Sequence, residues 1–271
     1  MSSKFLGTGV ALVTPFKSDL SIDHDALTNI VNFNIENGTD YLVICGTTGE
    51  SVTITKEEKK AVIQTISKAN GGRVPMVLGI GGNNTMAVIE EIKNTDLSGI
   101  DALLSVSPYY SKPTQEGIYK HFEAISQASP IDIILYNVPG RTGSMMHADT
   151  ILALAEHPNI VAIKEASGNI DHCMNVIKHK PAEFMVISGD DNYTLPYMAA
   201  GMVGVISVVG NAFPKDFSQM VRYALDGNFE NARYLHYKLL PMMEAIFHDG
   251  NPGGIKVALK QLGICGDQMR E

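Results

Sequence analysis

Eight short apolar runs recur along the chain, and each is stopped by Gly, Pro or Asp. Between them lie amphipathic, charge-bearing segments such as SIDHDALTNIVNFNIEN and TKEEKKAVIQTISKA, which predict helices. Apolar strands that alternate with helices indicate a parallel sheet covered on both faces. Eight such units predict an α/β fold, the (β/α)8 TIM barrel, rather than an open doubly wound sheet. The runs are GVALVTP, YLVICG, MVLGIGG, ALLSVSP, DIILYNVP, IVAIKEA, FMVISGD and GVISVVG.

The pattern changes after the eighth run. From about Pro214 the chain is helical, with FSQMVRYALDG, FENARYLHYKLLPMMEAIF and GGIKVALKQLG, and shows no further strand signal. We therefore predict a barrel domain over residues 1–213 and a C-terminal helical appendage over residues 214–271. The pattern leaves open whether the appendage packs on the barrel or on another subunit.

Composition and charge narrow the classes of function. With 45% hydrophobic and 18% charged residues in 271, the chain is typical of a globular protein with a sizeable core. Its net charge of −8, without a run of basic residues, argues against nucleic acid as a partner. The N-terminus, MSSKFLGTGVALVTP, resembles neither a signal peptide nor a membrane span, so we expect a cytoplasmic protein with no membrane partner. Three widely spaced cysteines without C-x-x-C fit reduced thiols: Cys45, Cys173 and Cys265.

The carboxyl ends of the predicted strands define a candidate site, because barrel enzymes place their chemistry there. Lys164 is the only lysine within the eight apolar runs, whereas Lys112 of SPYYSKP lies in the loop beyond its run. An amine held in an apolar pocket has a lowered pKa and can attack a carbonyl to form a Schiff base. The alternative is a lysine that reaches water or pairs with Glu165. In chain order the ends are Thr14, GTTGES, GGNN, SPYYSKP, YNVPGRT, Lys164 with Glu165, SGDD and Ser207.

The neighbours of Lys164 favour a catalytic role. Tyr136 is the fifth residue of DIILY and Lys164 the fifth of IVAIK, so on adjacent parallel strands they should lie at similar heights. A phenol beside the amine can pass protons, and a hydroxyl such as Thr47 can relay them. Arg141 can present its guanidinium to a substrate carboxylate, the alternative being a surface arginine in a Pro-Gly turn.

Other features have simpler readings. The turn GTTGE can hold a small carboxylate or phosphate through backbone N–H groups, and Thr55 with Glu58 predicts a capping box at the helix that follows. GIGGNN lacks the context of a dinucleotide fingerprint. The histidines show no metal-binding spacing, so we expect no metal. We expect four of them on helix surfaces: His121, His172, His179 and His236.

Six motifs in register resemble the dihydrodipicolinate synthase family of the pyruvate-dependent class I aldolases: GTTGES, SPYYSKPTQEGIYKHF, YNVPGRTG, IVAIKEASG, SGDD and GVISV. The resemblance covers about residues 5 to 269. It implies a TIM barrel with a C-terminal helical domain, assembled as a homotetramer of two dimers. It also implies a lyase that condenses pyruvate with L-aspartate-4-semialdehyde to 4-hydroxy-tetrahydrodipicolinate, in the diaminopimelate and lysine pathway. No cofactor is implied beyond the covalent adduct with pyruvate.

The resemblance also assigns roles to individual residues. It makes Lys164 the Schiff-base lysine and Tyr136 the phenol beside it. Thr47 links Tyr136 to Tyr110 of the neighbouring subunit as a proton relay. The remaining substrate contacts are Thr48 for the pyruvate carboxylate, Arg141 for the semialdehyde carboxylate, and the main chain at Gly189 and Ile206.

The chain departs from the family pattern at several positions. Ser111 replaces the usual asparagine, NPGGIK replaces N-P-x-P-x-K, and the chain stops at DQMRE where relatives continue for about a helix, so the appendage is either truncated or naturally short. The lysine-inhibition pocket of relatives is matched by Ser51, Asn83 and Tyr109, but Lys56 and Lys59 replace its histidines and Ala87 its glutamate. Since two ammonium groups repel a third, we expect insensitivity to lysine.

Two alternatives stay open at this point. One is a pyruvate-dependent aldolase for another aldehyde, of the keto-deoxy sugar acid or N-acetylneuraminate lyase type, which would have little use for Arg141. The other is a catalytically silent barrel that serves as a binding protein, which would not need the relay residues.

Overall fold

The computed structural model describes residues 3–270 and contains a closed barrel of parallel strands in the order β1 to β8. Each strand overlaps one of the eight apolar runs, although β1 ends at Ala11, before the predicted end at Thr14. The predicted TIM barrel is confirmed. The strands are β1 (Gly7–Ala11), β2 (Tyr41–Ile44), β3 (Met76–Gly79), β4 (Ala102–Val106), β5 (Asp132–Asn137), β6 (Ile160–Glu165), β7 (Met185–Ser188) and β8 (Gly204–Ser207).

Helices surround the strands and continue after the last one. The helices are α1 (His24–Glu36), α2 (Lys56–Asn70), α3 (Thr85–Asn94), α4 (Gln115–Ala128), α5 (Pro139–Thr142), α6 (Ala148–Leu154), α7 (Ile170–His179), α8 (Thr194–Ala199), α9 (Pro214–Leu225), α10 (Phe229–His248) and α11 (Gly253–Gln261). Local sequence explains their starts: Asp23, Asn84, Thr114 and Asn169 each accept an N–H in the first turn. The predicted capping box of Thr55 and Glu58 is present at α2.

Alternation along the strands sorts the side chains into two apolar layers. In β5, Ile133 and Leu135 belong to the outer core between strands and helices, whereas Ile134 and Tyr136 belong to the core inside the barrel. The same alternation in β6 puts Ala162 inside and Ile163 outside. Since successive strand residues face opposite sides, Lys164 points into the barrel as well.

The barrel closes where β1 meets β8, and the two strands approach closely at a pair of glycines. Gly7 lies opposite Gly204 in the ladder. A Cβ added to Gly204 would lie 2.0 Å from the Gly7 carbonyl oxygen and 2.8 Å from its nitrogen. Closure at this point therefore requires a residue without a side chain.

The helices after β8 pack on the barrel and on one another. Helix α9 packs against β1, β8 and α8, α10 packs against α9, and α11 packs against α10. Residues of α10 and α11 belong to the same apolar cluster as the outer barrel core. The appendage packs on the barrel of its own chain, while the division into two domains at residue 213 stays a prediction. Among residues 3–270, no helix combines the length and apolar character that a bilayer span requires.

The expectation that the histidines lie on helix surfaces is wrong for His121 and His236, which are 3% and 7% exposed. It is also wrong for the ring of His172, which is 8% exposed with Nε2 at 3.3 Å from Glu165, whereas His179 is exposed as expected. His121 stays in the core because its Nδ1 lies 2.8 Å from the Thr85 hydroxyl and its ring packs edge-on against Phe122. Burial lowers the pKa of His121 to about 4, so the ring is neutral there.

Candidate active site

Lys164 and Tyr136 face each other inside the carboxyl end of the barrel. The ladder between β5 and β6 pairs Tyr136 with Lys164, as their positions in the two runs predicted. The ammonium nitrogen of Lys164 lies 4.6 Å from the centre of the Tyr136 ring. Both side chains are buried, with exposures of 6% for Lys164 and 9% for Tyr136. Lys164 does not pair with Glu165, whose carboxylate accepts hydrogen bonds from the Asn137 side chain and the Ser167 N–H and lies 3.3 Å from Nε2 of His172.

Burial favours the neutral form of the Lys164 amine. Removal from water lowers its pKa to about 8, while Asp191 and Asp190 act in the opposite direction. Arg141 adds to the lowering. A group with this pKa is neutral in about a tenth of the molecules at pH 7, against roughly one in three thousand for an ordinary lysine. The site therefore holds a population of nucleophilic amine at neutral pH.

Two carboxylates from the β7–α8 loop set the potential around the amine. Burial raises the pKa of Asp190 to about 6, with Lys164 opposing the shift. Asp191 is fully enclosed, and its Oδ2 accepts the N–H groups of Val208 and Val209 at 3.0 and 2.9 Å. Burial raises the pKa of Asp191 as well, against these hydrogen bonds. The motif SGDD marked a strand end in the sequence, but its electrostatic effect on Lys164 appears only in the folded chain.

Gly189 and Ile206 line the wall beside Lys164. A Cβ on Gly189 would lie 3.1 Å from Cε of Lys164 and 2.7 Å from Cβ of Ala166. Ile206 is fully buried in the core inside the barrel. A side chain at position 189 would therefore push against Lys164. This contact is a steric reason for glycine at this position, in addition to the predicted main-chain contact with substrate.

The turn that follows β2 carries two threonines that differ in exposure. Thr47 is exposed, whereas Thr48 is 2% exposed and its hydroxyl oxygen accepts the side-chain N–H of Asn251 at 2.9 Å. Among residues 3–270, no hydrogen bond joins the Thr47 hydroxyl to Tyr136 or Tyr110. The structure thus brings Lys164 and Tyr136 together but does not close the predicted relay within one chain.

Arg141 and Tyr110 are both exposed, and they follow the carboxyl ends of β5 and β4. Arg141 lies on the short helix α5 and is exposed, which is compatible with both the predicted substrate contact and the alternative of a surface arginine. Its charge lowers the pKa of both Tyr136 and Lys164. For Tyr136, burial is the larger effect and raises its pKa to about 12. Tyr110 is 89% exposed and adopts a positive φ of 72°. An aromatic ring so fully exposed is available to a second molecule.

Three of the six residues matched to the lysine-inhibition pocket line one groove. Lys56, Lys59 and Ala87 line a groove of about 700 Å³ between α2 and α3, on the outside of the barrel. Asn83 donates to the Tyr109 carbonyl oxygen at 3.4 Å. Lys59 binds Glu91 at 2.6 Å and the Gly79 carbonyl at 2.9 Å. One of the two ammonium charges is therefore already compensated, and the repulsion expected from the sequence falls mainly to Lys56. Ser51 is half-buried.

Sequence reasoning missed a set of contacts between the C-terminal segment and the turn after β2. Asn251 binds Thr48, Lys256 binds Glu50, and the Arg270 N–H binds the same carboxylate. The partners are separated by 203 to 220 positions in the chain, so no local pattern points to them. The only local signal was the motif NPGGIK, which contains both Asn251 and Lys256. No pattern of apolar residues around Lys256 indicates whether this lysine is buried or exposed.

Among residues 3–270, no three His, Cys, Asp or Glu side chains gather into a metal-binding group. The expectation that the reaction uses no metal and no cofactor stays a prediction.

Three comparisons with known proteins point to the same family, and each covers nearly the whole chain. The family model described as the dihydrodipicolinate synthetase family matches residues 4–271. A 4-hydroxy-tetrahydrodipicolinate synthase of Flavobacterium psychrophilum is 56% identical over 267 residues, which is 98% of this chain and 91% of that protein. The crystal structure of dihydrodipicolinate synthase from Aquifex aeolicus superimposes with a TM-score of 0.94 at 43% identity, over 98% of this chain and 91% of the other. The chloride-inhibited enzyme from Acinetobacter baumannii, solved in complex with pyruvate, gives a TM-score of 0.95 at 40% identity, over the same shares.

Proposed function

The chain belongs to the dihydrodipicolinate synthetase family and has its synthase activity in diaminopimelate and lysine biosynthesis, and we propose that Lys164 carries out this reaction as the nucleophile. The substrates are pyruvate and L-aspartate-4-semialdehyde. The observation that carries the proposal is the buried amine of Lys164 beside the Tyr136 phenol, at the carboxyl end of the barrel. No feature of the site favours a different aldehyde or a silent barrel.

The proposed first step joins the amine to pyruvate. The neutral nitrogen of Lys164 attacks the keto carbon, and the nitrogen loses a proton while the former carbonyl oxygen gains one, giving a carbinolamine. Loss of water from the carbinolamine then gives the Schiff base. Tyr136 is placed to hand over and take back these protons, because burial keeps its phenol protonated at neutral pH. Thr47 and Tyr110 extend this path in the proposed assembly.

The turn after β2 and Arg141 would each bind one of the two substrate carboxylates. The turn with Thr47 and Thr48 offers hydroxyls and backbone N–H groups to pyruvate. Arg141, which is exposed on α5, suits the carboxylate of the incoming semialdehyde because its planar guanidinium forms paired hydrogen bonds. The structure of the Acinetobacter baumannii relative in complex with pyruvate supports binding of this substrate here.

We further propose a homotetramer built from two dimers, located in the cytoplasm. The 89% exposed Tyr110 supports a dimer in which each ring enters the neighbouring site. The three cysteines are free, which suits a reducing compartment. Sedimentation measured beside activity tests the assembly, and a monomer with full activity would contradict the shared site.

Borohydride reduction in the presence of pyruvate tests the proposed chemistry. Peptide mass spectrometry should locate the reduced adduct on Lys164, and a coupled assay should show turnover of the semialdehyde. A second sample is dialysed against EDTA before the coupled assay. If its turnover rate equals that of the undialysed protein, the result supports a reaction without metal. The absence of an adduct would refute the Schiff base. An adduct without semialdehyde turnover would instead indicate an aldolase for another aldehyde.

Adduct formation should follow the lowered pKa of Lys164. With a pKa of about 8, the neutral fraction and hence the rate at fixed pyruvate should rise about fivefold from pH 7 to pH 8 and level off above about pH 9. The rate is measured by quenching timed samples with borohydride. A rate that keeps rising about tenfold per pH unit up to pH 10 would mean that the lysine is not perturbed.

L-lysine should not inhibit the enzyme. Ala87 provides no carboxylate for the α-amino group, and the exposed ammonium of Lys56 repels the ligand. Lys59 contributes less because Glu91 compensates its charge. The coupled assay and titration calorimetry with L-lysine measure the effect, and half-inhibition at submillimolar lysine would contradict it.

A further inference from the structure

The turn that carries Thr47 and Thr48 is held from outside the barrel. We propose that the segment from Asn251 to Arg270 is a positioning clamp for this turn, and that Lys256 is its principal positioning residue. The inference rests on the proposed function, since it assigns the clamp to the binding of the pyruvate carboxylate. Lys256 and Arg270 act on the substrate only through the turn.

Lys256 is buried without being part of the catalytic pocket. Its side chain is fully buried, and its ammonium binds the carboxylate of Glu50 and the Gln268 carbonyl oxygen, the latter at 2.8 Å. The same nitrogen lies 4.3 Å from the centre of the Phe16 ring. Burying an ammonium group is costly unless it is paired, so this arrangement commits Lys256 to one geometry around Glu50.

Glu50 is itself part of the turn, so its contacts with the C-terminal segment fix the position of the turn. One carboxylate oxygen binds Lys256, and the other accepts the backbone N–H of Arg270 at 3.1 Å. Glu50 has a φ of 53°, which a residue with a side chain rarely adopts, and its own N–H binds the Thr47 carbonyl at 3.0 Å. A left-handed residue needs surrounding contacts to persist, and both contacts of this carboxylate come from the C-terminal segment.

Arg270 fixes the far end of the clamp. Its guanidinium makes two bonds to Glu58, at 2.6 and 2.8 Å, and also binds the carbonyl oxygens of Leu20 and Thr53. The group lies 4.5 Å from the centre of the Phe16 ring, on which Lys256 also packs. The ammonium of Lys256 and the guanidinium of Arg270 therefore hold the segment to the ring of Phe16. Arg270 also ties it to the residues that follow the turn, through Glu58.

Asn251 orients Thr48, the threonine proposed to bind the pyruvate carboxylate. Its amide nitrogen donates to the Thr48 hydroxyl oxygen at 2.9 Å. A hydroxyl has one proton, and because Thr48 uses its oxygen as the acceptor here, that proton is free to be donated to an incoming carboxylate. The clamp thus sets both the position of the turn and the direction of one hydrogen bond.

Steady-state kinetics of the complete protein test the clamp. Lys256→Met keeps the length of the side chain but removes the bond to Glu50, so KM for pyruvate should rise about tenfold. KM for the semialdehyde should stay within about twofold, because Arg141 is not held by the clamp. A purely structural role would lower the amount of active enzyme and leave both KM values unchanged.

Two further variants keep the test decisive. Glu50→Gln with Lys256→Met leaves no stranded buried charge, so it should fold if Lys256→Met does not, and it should show the same rise in KM for pyruvate. Asn251→Asp preserves the size of the side chain but accepts the Thr48 proton, so it too should raise KM for pyruvate selectively. Lys238→Met, which breaks a 2.7 Å ion pair with Asp216 between α9 and α10, is the matched control and should keep both KM values.

The outcomes separate the clamp from the proposed function. If the parent protein forms no borohydride adduct on Lys164, the proposed function fails. If the parent forms the adduct and turns over, but the Lys256 and Asn251 variants keep the parent KM for pyruvate, the clamp alone is refuted. A selective rise in that KM, absent in Lys238→Met, supports it.

Discussion

Replacing Lys164 with methionine is expected to lower kcat by about 10⁴-fold or more, because the bond-forming nitrogen is lost while the shape of the side chain is kept. The borohydride adduct should vanish from the peptide that contains residue 164. Folding should be little affected. Burial lowers the pKa of Lys164 to about 8, so the folded protein disfavours the charged form, and an apolar side chain there removes that penalty.

The matched control for this variant is Lys68→Met, at an exposed lysine of α2. It should keep the parent kcat and the adduct. Circular dichroism and thermal unfolding of both variants show whether the fold is intact. If Lys164→Met retains more than about a tenth of the parent kcat, Lys164 is not the nucleophile.

Replacing Gly204 with alanine should destabilise the fold by about 3 kcal/mol, as an overpacked backbone contact that no rotamer can relieve. The added Cβ would lie 2.0 Å from the Gly7 carbonyl oxygen, at the joint between β1 and β8. The strands would have to separate at the point where the barrel closes. The change is measured as a shift of the urea unfolding midpoint.

Gly140→Ala is the matched control, because a Cβ there meets no atom within 4 Å and the residue lies in α5. It should keep the midpoint or raise it slightly, as alanine favours a helix over glycine. Equal midpoints for Gly204→Ala and the parent would show that the closure tolerates a side chain.

The sequence predicted the barrel well because its signal is repeated and local. Each apolar run became a strand, and the equal positions of Tyr136 and Lys164 in their runs gave the register that the ladder shows. Burial of His121 and His236 was missed because a single histidine on an amphipathic helix gives no sign of its partner. Whether such a residue is buried depends on contacts such as that of Thr85 with His121, from a neighbouring helix.

The parts of the site that the sequence did not predict depend on contacts far apart in the chain. Lys256 and Glu50 are 206 positions apart, and Asn251 and Thr48 are 203 apart. A similar limit applies to Asp191, whose influence on Lys164 depends on how deeply both are buried. Pattern reasoning located the proposed nucleophile, whereas the side chains that shift its pKa and hold the turn beside it follow only from the folded chain.

The path of the C-terminal segment has a practical consequence for engineering. Arg270 is held at the mouth of the barrel against Leu20 and Glu58. Phe5, near the other end of the described chain, packs edge-on against Tyr41 at the opposite rim, where the strands begin. A reporter domain or affinity tag joined after residue 270 would thus sit beside the substrate entrance. One joined before residue 3 would be carried on the far side of the molecule, away from the chemistry.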